Sequence, residues 1–293
     1  MKLLGRLVLV IVVLLVSWQL ARGVHSARYE YNNFHAPRSR PQRPRDGSLP
    51  GVQDVQFAGA SGTTLRGWYV PSRTGAAVIL AGGSGTDRTG MLNEARALVA
   101  GGLGVLVFDW PGCGESDGTI GVGDAERAAV RGAVDFVASR PDVRPGRIGI
   151  LGFSLGSWAS LLEGASDMRV AGFVVEGAFD EPRSQTLAEY QRSGLAAQWG
   201  AVLGARLAGL ARRPDRVVDI VAGIAPRPIV FITGLRDVTV PPPLTRAVHA
   251  AAGEPKQLWV VPAASHGGYI AADTSVASRL RAFFLETLAP PVP

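Results

Sequence analysis

From Val52 onward the chain alternates between short apolar runs and longer amphipathic stretches. Val52–Phe57 and Leu65–Val70 alternate apolar and polar positions and predict two strands paired as an antiparallel start. Ala77–Ala81, Val105–Phe108, Ile148–Leu151, Phe173–Val175, Ile229–Ile232 and Leu258–Val261 are continuously apolar instead. Such runs are what strands covered on both faces look like. Helical periodicity fills most of the gaps, at about 91–100, 123–139, 155–165, 242–252 and 274–288. Strand–helix alternation predicts an α/β fold with a mostly parallel central sheet, right-handed crossovers and flanking helices. The interval from Phe179 to Pro228 is too long for one crossover. Leu187, Tyr190, Leu195, Trp199, Leu203, Leu207 and Leu210 recur in it at helical spacing. This predicts a helical insertion after the sixth strand, spanning 179–227, either a cap over a pocket or a surface helix packed on the sheet.

The first 50 residues follow a different pattern. Lys2 and Arg6 precede an apolar run from Leu7 to Val16 that extends through Trp18 to Leu20. Residues 1–27 therefore read as a signal peptide or a membrane anchor, with Val24–Ala27 as the nearest cleavage-like segment. Residues 28–50 contain Pro37, Pro41, Pro44 and Pro50 among several arginines and read as an extended linker, leaving 51–293 as the folded domain. Arg22, Arg28, Arg38 and Arg40 outnumber Lys2 and Arg6 across the run, which favours a cytoplasmic domain, whereas a signal peptide places it outside. The chain is thus expected to be membrane-attached or exported, with the face left open.

Composition changes this picture at one point. A net charge of +6 and a pI near 10.1 suggest nucleic-acid binding until the charges are located. Residues 1–46 carry eight basic and two acidic side chains, while residues 47–293 are balanced at 22 and 22. A basic tail on a neutral body argues against a nucleic-acid groove and for a membrane surface. Cys113 is the single cysteine, so an intrachain disulfide is excluded.

The candidate chemistry starts at Gly152–Gly156, which matches G-x-S-x-G around Ser154. With 37 glycines in the chain the motif alone is weak. Its position directly after the strand Ile148–Leu151 and before a helix is the strand–turn–helix setting of a nucleophile elbow. Glycines are needed there because strand and helix approach too closely for Cβ atoms. A serine nucleophile needs a base, and there are four histidines. His25 and His35 lie in the tail or linker and His249 lies within a helical stretch, which leaves His266 in the loop after the last strand. The acid is expected between them in chain order. Asp237, after the strand Ile229–Ile232, fits best, with Asp180 as the competitor. The elbow aims the Leu155 N–H at a developing oxyanion, and Ser84 N–H, in the Gly82–Gly85 loop, is the candidate second donor.

With these residues placed, the chain resembles the α/β-hydrolase superfamily over about 52–288. It is most similar to the branch of serine aminopeptidase-like, depalmitoylase-like and prolyl-oligopeptidase-like hydrolases. The likeness rests on Val78–Gly85, Phe108–Ser116, Gly152–Gly156, Arg227–Pro242 and the Ser265–His266 pair. It implies that Asp109 and Ser116 are structural, fixing a loop beside the site. It also implies a His-Gly start to the first loop, where this chain has Gly82, and it places Cys113 where an aromatic residue is common, as an inert thiol. The expected reaction is acyl transfer from an ester, thioester or amide to water through Ser154, His266 and Asp237. No metal or organic cofactor is expected, and the apolar N-terminus favours a lipid-like acyl substrate. An acyltransferase and a non-catalytic binding protein on the same fold are the alternatives.

Overall fold

The computed structural model describes residues 2–34, 38–121, 123–209 and 215–289. Among the described residues eight strands form one sheet: β1 (Gln53–Ala58), β2 (Thr64–Val70), β3 (Ala77–Ala81), β4 (Gly104–Phe108), β5 (Ile148–Phe153), β6 (Val170–Glu176), β7 (Ile229–Gly234) and β8 (Lys256–Val261). Their order is β1-β2-β4-β3-β5-β6-β7-β8. β1 pairs antiparallel with β2 and β2 with β4, and every other pairing is parallel. The helices are α1 (Lys2–Phe34), α2 (Leu92–Val99), α3 (Asp124–Ala138), α4 (Leu155–Gly164), α5 (Pro182–Glu189), α6 (Leu195–Leu207), α7 (Pro242–Ala251), α8 (Tyr269–Ala272) and α9 (Ser275–Thr287).

The apolar runs become strands because both faces of the sheet are covered. Alternate residues of β3 feed two separate cores. Ala77, Ile79 and Ala81 pack with side chains of α3, α4 and α7, while Val78 and Leu80 pack with those of α2 and α9. A strand buried on both sides has no solvent face to mark with polar residues, hence the unbroken hydrophobicity. Side-by-side parallel strands also bring the C-terminal ends of β3, β5, β6, β7 and β8 to one edge, where the loops carrying chemistry gather.

The insertion after β6 is helical, holding α5 and α6, as its periodicity predicts. Leu210 and His35 lie outside the described residues. The N-terminus departs from its expected layout. The helix continues past residue 28 to Phe34, through the first part of the expected linker. Its apolar part, long enough to cross a membrane by length and composition, is unburied, but beyond it α1 packs on α6. Ser26 and Glu30 are buried there, and the Ser26 hydroxyl donates to the Ala197 carbonyl at 2.8 Å. That contact supplies the order which hydropathy alone does not signal. The described linker residues are held to the body rather than free: Arg38 donates to the Gly118 carbonyl, and Arg43 and Asp46 pair with Asp54 and Arg96.

Candidate active site

Ser154 sits at the tip of the turn from β5 into α4 with φ +53° and ψ −113°. Among the described residues it is the one non-glycine with positive φ. Such a conformation costs on the order of 1–3 kcal/mol and persists only where the surroundings impose it. They do so here through close packing. A Cβ on Gly152 would collide with the Gly156 backbone, and one on Gly156 with the carbonyls of Ala81 and Gly82. The elbow is pinned further by Ser154 N–H, which donates to the Glu176 carbonyl at 2.9 Å, and by the Ser157 hydroxyl, 2.8 Å from the carbonyls of both Gly152 and Glu176.

The structure brings the three sequence-predicted side chains together. Ser154 Oγ lies 3.0 Å from His266 Nε2, and His266 Nδ1 lies 2.8 Å from Asp237 Oδ2. His266 is carried by the loop between β8 and α8, whose Gly267 and Gly268 take positive φ. Its ring rests on Phe153 with centroids 4.8 Å apart. Asp237 is buried, and its other oxygen accepts from the N–H groups of Thr239 and Val240 at 3.0 and 2.8 Å. One carboxylate thus fixes both its own loop and the imidazole. The competitor Asp180 is engaged elsewhere, by Arg216 at 2.8 Å and by the Val218 N–H. His249 packs edge-on against Phe231, and His25 is an exposed residue of α1.

Ser84 and Leu155, the expected donors to an oxyanion, line the same cavity as Ser154 and His266. The loop bearing Ser84 is anchored through its backbone and its packing. The Gly82 carbonyl accepts from Trp110 Nε1 at 2.9 Å and from Gly156 N–H at 3.1 Å, and Gly83 sits against the Phe153 ring. Asp109 braces the loop from below. Its buried carboxylate accepts from Arg88 N–H at 2.7 Å, from the Arg88 guanidinium at 2.5 and 3.1 Å, and from Glu115 N–H at 2.9 Å. The Ser116 hydroxyl donates to the Asp109 carbonyl and accepts from Arg66 N–H, a structural part for both residues. Burial pushes the Cys113 thiol up to about 11, helped by the charges of Asp109 and Glu126, which leaves it a poor nucleophile near neutrality.

The cavity measures about 330 Å³ and includes residues that the sequence did not single out. From the insertion, α5 contributes Gln185 and Glu189, whose side chains are linked at 2.9 Å, and Glu189 also accepts from the Thr239 hydroxyl at 3.3 Å. Burial raises the Glu189 carboxyl above its ordinary range. From α1 come Tyr29, Glu30 and Asn33, with the buried Glu30 accepting from the Tyr190 hydroxyl at 2.8 Å. Spacing could have paired Gln185 with Glu189 at i, i+4. Arg88 and the α1 residues gave no local signal, because their partners are distant in sequence. Beneath the elbow, Glu176 is fully enclosed, and burial, then the neighbouring Glu94, holds its carboxyl well above the usual range.

No protein-family model matches the chain. The chain is 30% identical over 261 residues to the uncharacterized protein Rv2307c of Mycobacterium tuberculosis, covering 87% of this chain and 86% of that protein. Among solved structures, the esterase Pf2001 of Pyrococcus furiosus superposes with a TM-score of 0.70 at 21% identity, over 85% of this chain and 98% of that one. The alpha/beta hydrolase GrgF of Penicillium sp. gives 0.66 at 22% identity, over 82% and 99%. At these identities the structural likeness is one of fold.

Proposed function

We propose, from the α/β-hydrolase fold that the chain shares with its structural neighbours, that it is a membrane-attached or exported serine hydrolase acting on a carboxylic ester, thioester or amide. The observation that carries this reading is the unbroken chain of contacts from Ser154 through His266 to Asp237, opening into a cavity at the strained elbow. Ser154 Oγ attacks the substrate carbonyl carbon while its proton passes to His266 Nε2. Asp237 holds the Nδ1 proton and steadies the imidazolium. The N–H groups of Leu155 and Ser84 receive the oxyanion, in a site already fixed by packing and therefore needing little reorganisation. Collapse of the tetrahedral intermediate expels the leaving group, which takes the proton from His266. Water, deprotonated by the same histidine, then attacks the acyl-enzyme and releases the acid and free Ser154.

A panel of p-nitrophenyl esters of increasing acyl length tests the reading. The folded protein is expected to hydrolyse them, and Ser154→Ala to lower kcat by at least about 10⁴-fold. Equal turnover by Ser154→Ala contradicts it, and so does no turnover of any ester, thioester or amide by the folded protein, which leaves a binding role for the fold.

A further inference from the structure

α1 is a single helix with two different surroundings. Its segment Leu4–Leu20 is exposed and ~26 Å long, close to the ~30 Å hydrocarbon thickness of a bilayer. Its remainder is seated on α6 with the backbones almost touching. A Cβ on Gly200 would strike the Gly23 carbonyl, and one on Gly204 the Ala27 carbonyl. Small residues four apart on both helices are the packing that lets two helices approach this closely. The two helices run parallel, Gly23 beside Ala196 and Gly200, Ala27 beside Gly204. One turn further on, Tyr29, Glu30 and Asn33 form a wall of the cavity that holds Ser154. The helix that fits a membrane is therefore also part of the candidate active site.

α6 carries the complementary feature. Leu195, Trp199, Leu203 and Leu207, spaced four apart, are 73, 53, 54 and 67% exposed. This stripe is ~18 Å long and flanks the stretch of α1 between the apolar run and the cavity. Leu203 closes an apolar groove with Leu15, Val16, Leu20 and Val24, so stripe and membrane-length segment form one continuous surface. Only ~14 Å of helix separates Leu20 from Tyr29. Arg22 and Arg28 lie in that interval, where anionic headgroups attract basic side chains.

We propose that α1 is retained as an anchor, that the α6 stripe sits in the bilayer interface, and that the substrate is a membrane-resident acyl lipid reaching Ser154 along the α1–α6 seam. This rests on the serine-hydrolase reading above. The continuity of the stripe with the membrane-length segment selects a bilayer as its occupant, and the α1 wall of the cavity ties that bilayer to the chemistry.

The test uses the full chain reconstituted in vesicles of phosphatidylcholine with a minority of phosphatidylglycerol. Two substrates are compared: a palmitoyl ester of 4-methylumbelliferone embedded in the vesicles, and p-nitrophenyl acetate in solution. Trp199→Ser combined with Leu203→Ser is expected to lower turnover of the embedded ester by about tenfold while leaving the soluble ester within about twofold. Trp199→Phe with Leu203→Ile should restore it, and fluorophosphonate labelling of Ser154 should stay stoichiometric, showing an intact site. An unchanged rate on the embedded ester, an equal loss on both substrates, or dissociation of a dimer in the serine variant overturns the inference while the hydrolase reading stands. Failure of the unmodified chain to cleave either ester or to label overturns the hydrolase reading, and the inference falls with it.

Discussion

Ser154 holds a backbone conformation that side-chain-bearing residues avoid, and in that conformation its hydroxyl lies 3.0 Å from His266 Nε2. Asp237 is equally constrained, since its two oxygens divide between the Thr239 and Val240 N–H groups and the imidazole. Asp237→Asn keeps the shape but offers the wrong tautomer to His266. Steady-state kinetics on a short ester should show kcat lowered by about 10³–10⁴-fold with little change in thermal stability. Asp180→Asn, which disturbs only the contacts with Arg216 and the Val218 N–H, should leave kcat unaltered. Glu176 permits a prediction on pH. Burial, then the charge of Glu94, raises its carboxyl well above the ordinary range in the folded chain, whereas the unfolded chain ionises it above about pH 4.3. Folded stability contributed by the protonated form is therefore lost as pH rises. Glu176→Gln should raise Tm relative to the unmodified chain by an amount that grows from pH 5 to pH 9, measured by thermal melts across that range. Ser154 and His266 were legible because a local motif and elimination among four histidines suffice. Glu176 and Arg88 were not, because a buried carboxyl or guanidinium is defined by neighbours that only folding supplies.

The elbow, the Gly82–Gly85 loop and the Asp109 turn form a braced unit. Arg88 is the least replaceable brace, a buried guanidinium joined to an equally buried Asp109. Arg88→Met strands that carboxylate and should destabilise the fold by about 3–5 kcal/mol, read from urea unfolding. Gly156→Ala, whose Cβ has no space against the Ala81 carbonyl, should cost comparably in stability and also lose esterase activity, because the helix start must shift. The strands were readable because each is apolar on both faces. The end of α1 was not, because beyond Leu20 its order comes from glycine and alanine packing on α6, residues that carry no hydropathy signal. The anchoring of the first loop was also hidden: its Gly82 carbonyl is held by Trp110, a partner distant in sequence.

The whole chain divides into a charge-balanced α/β body and a basic, apolar N-terminus that nevertheless reaches the cavity through Tyr29, Glu30 and Asn33. The excess charge lies in the first 46 residues, so ionic strength should affect membrane adsorption of the chain far more than hydrolysis of a soluble ester, as vesicle sedimentation and turnover at low and high salt would show. The kinetic expectations depend on Ser154 being the nucleophile. The direct measurement is peptide mapping by mass spectrometry after the folded full chain is treated with a fluorophosphonate. The account predicts a single stoichiometric phosphonyl adduct on Ser154, abolished in Ser154→Ala and much slowed in His266→Ala. An adduct on another residue, or none on the folded chain, would contradict it.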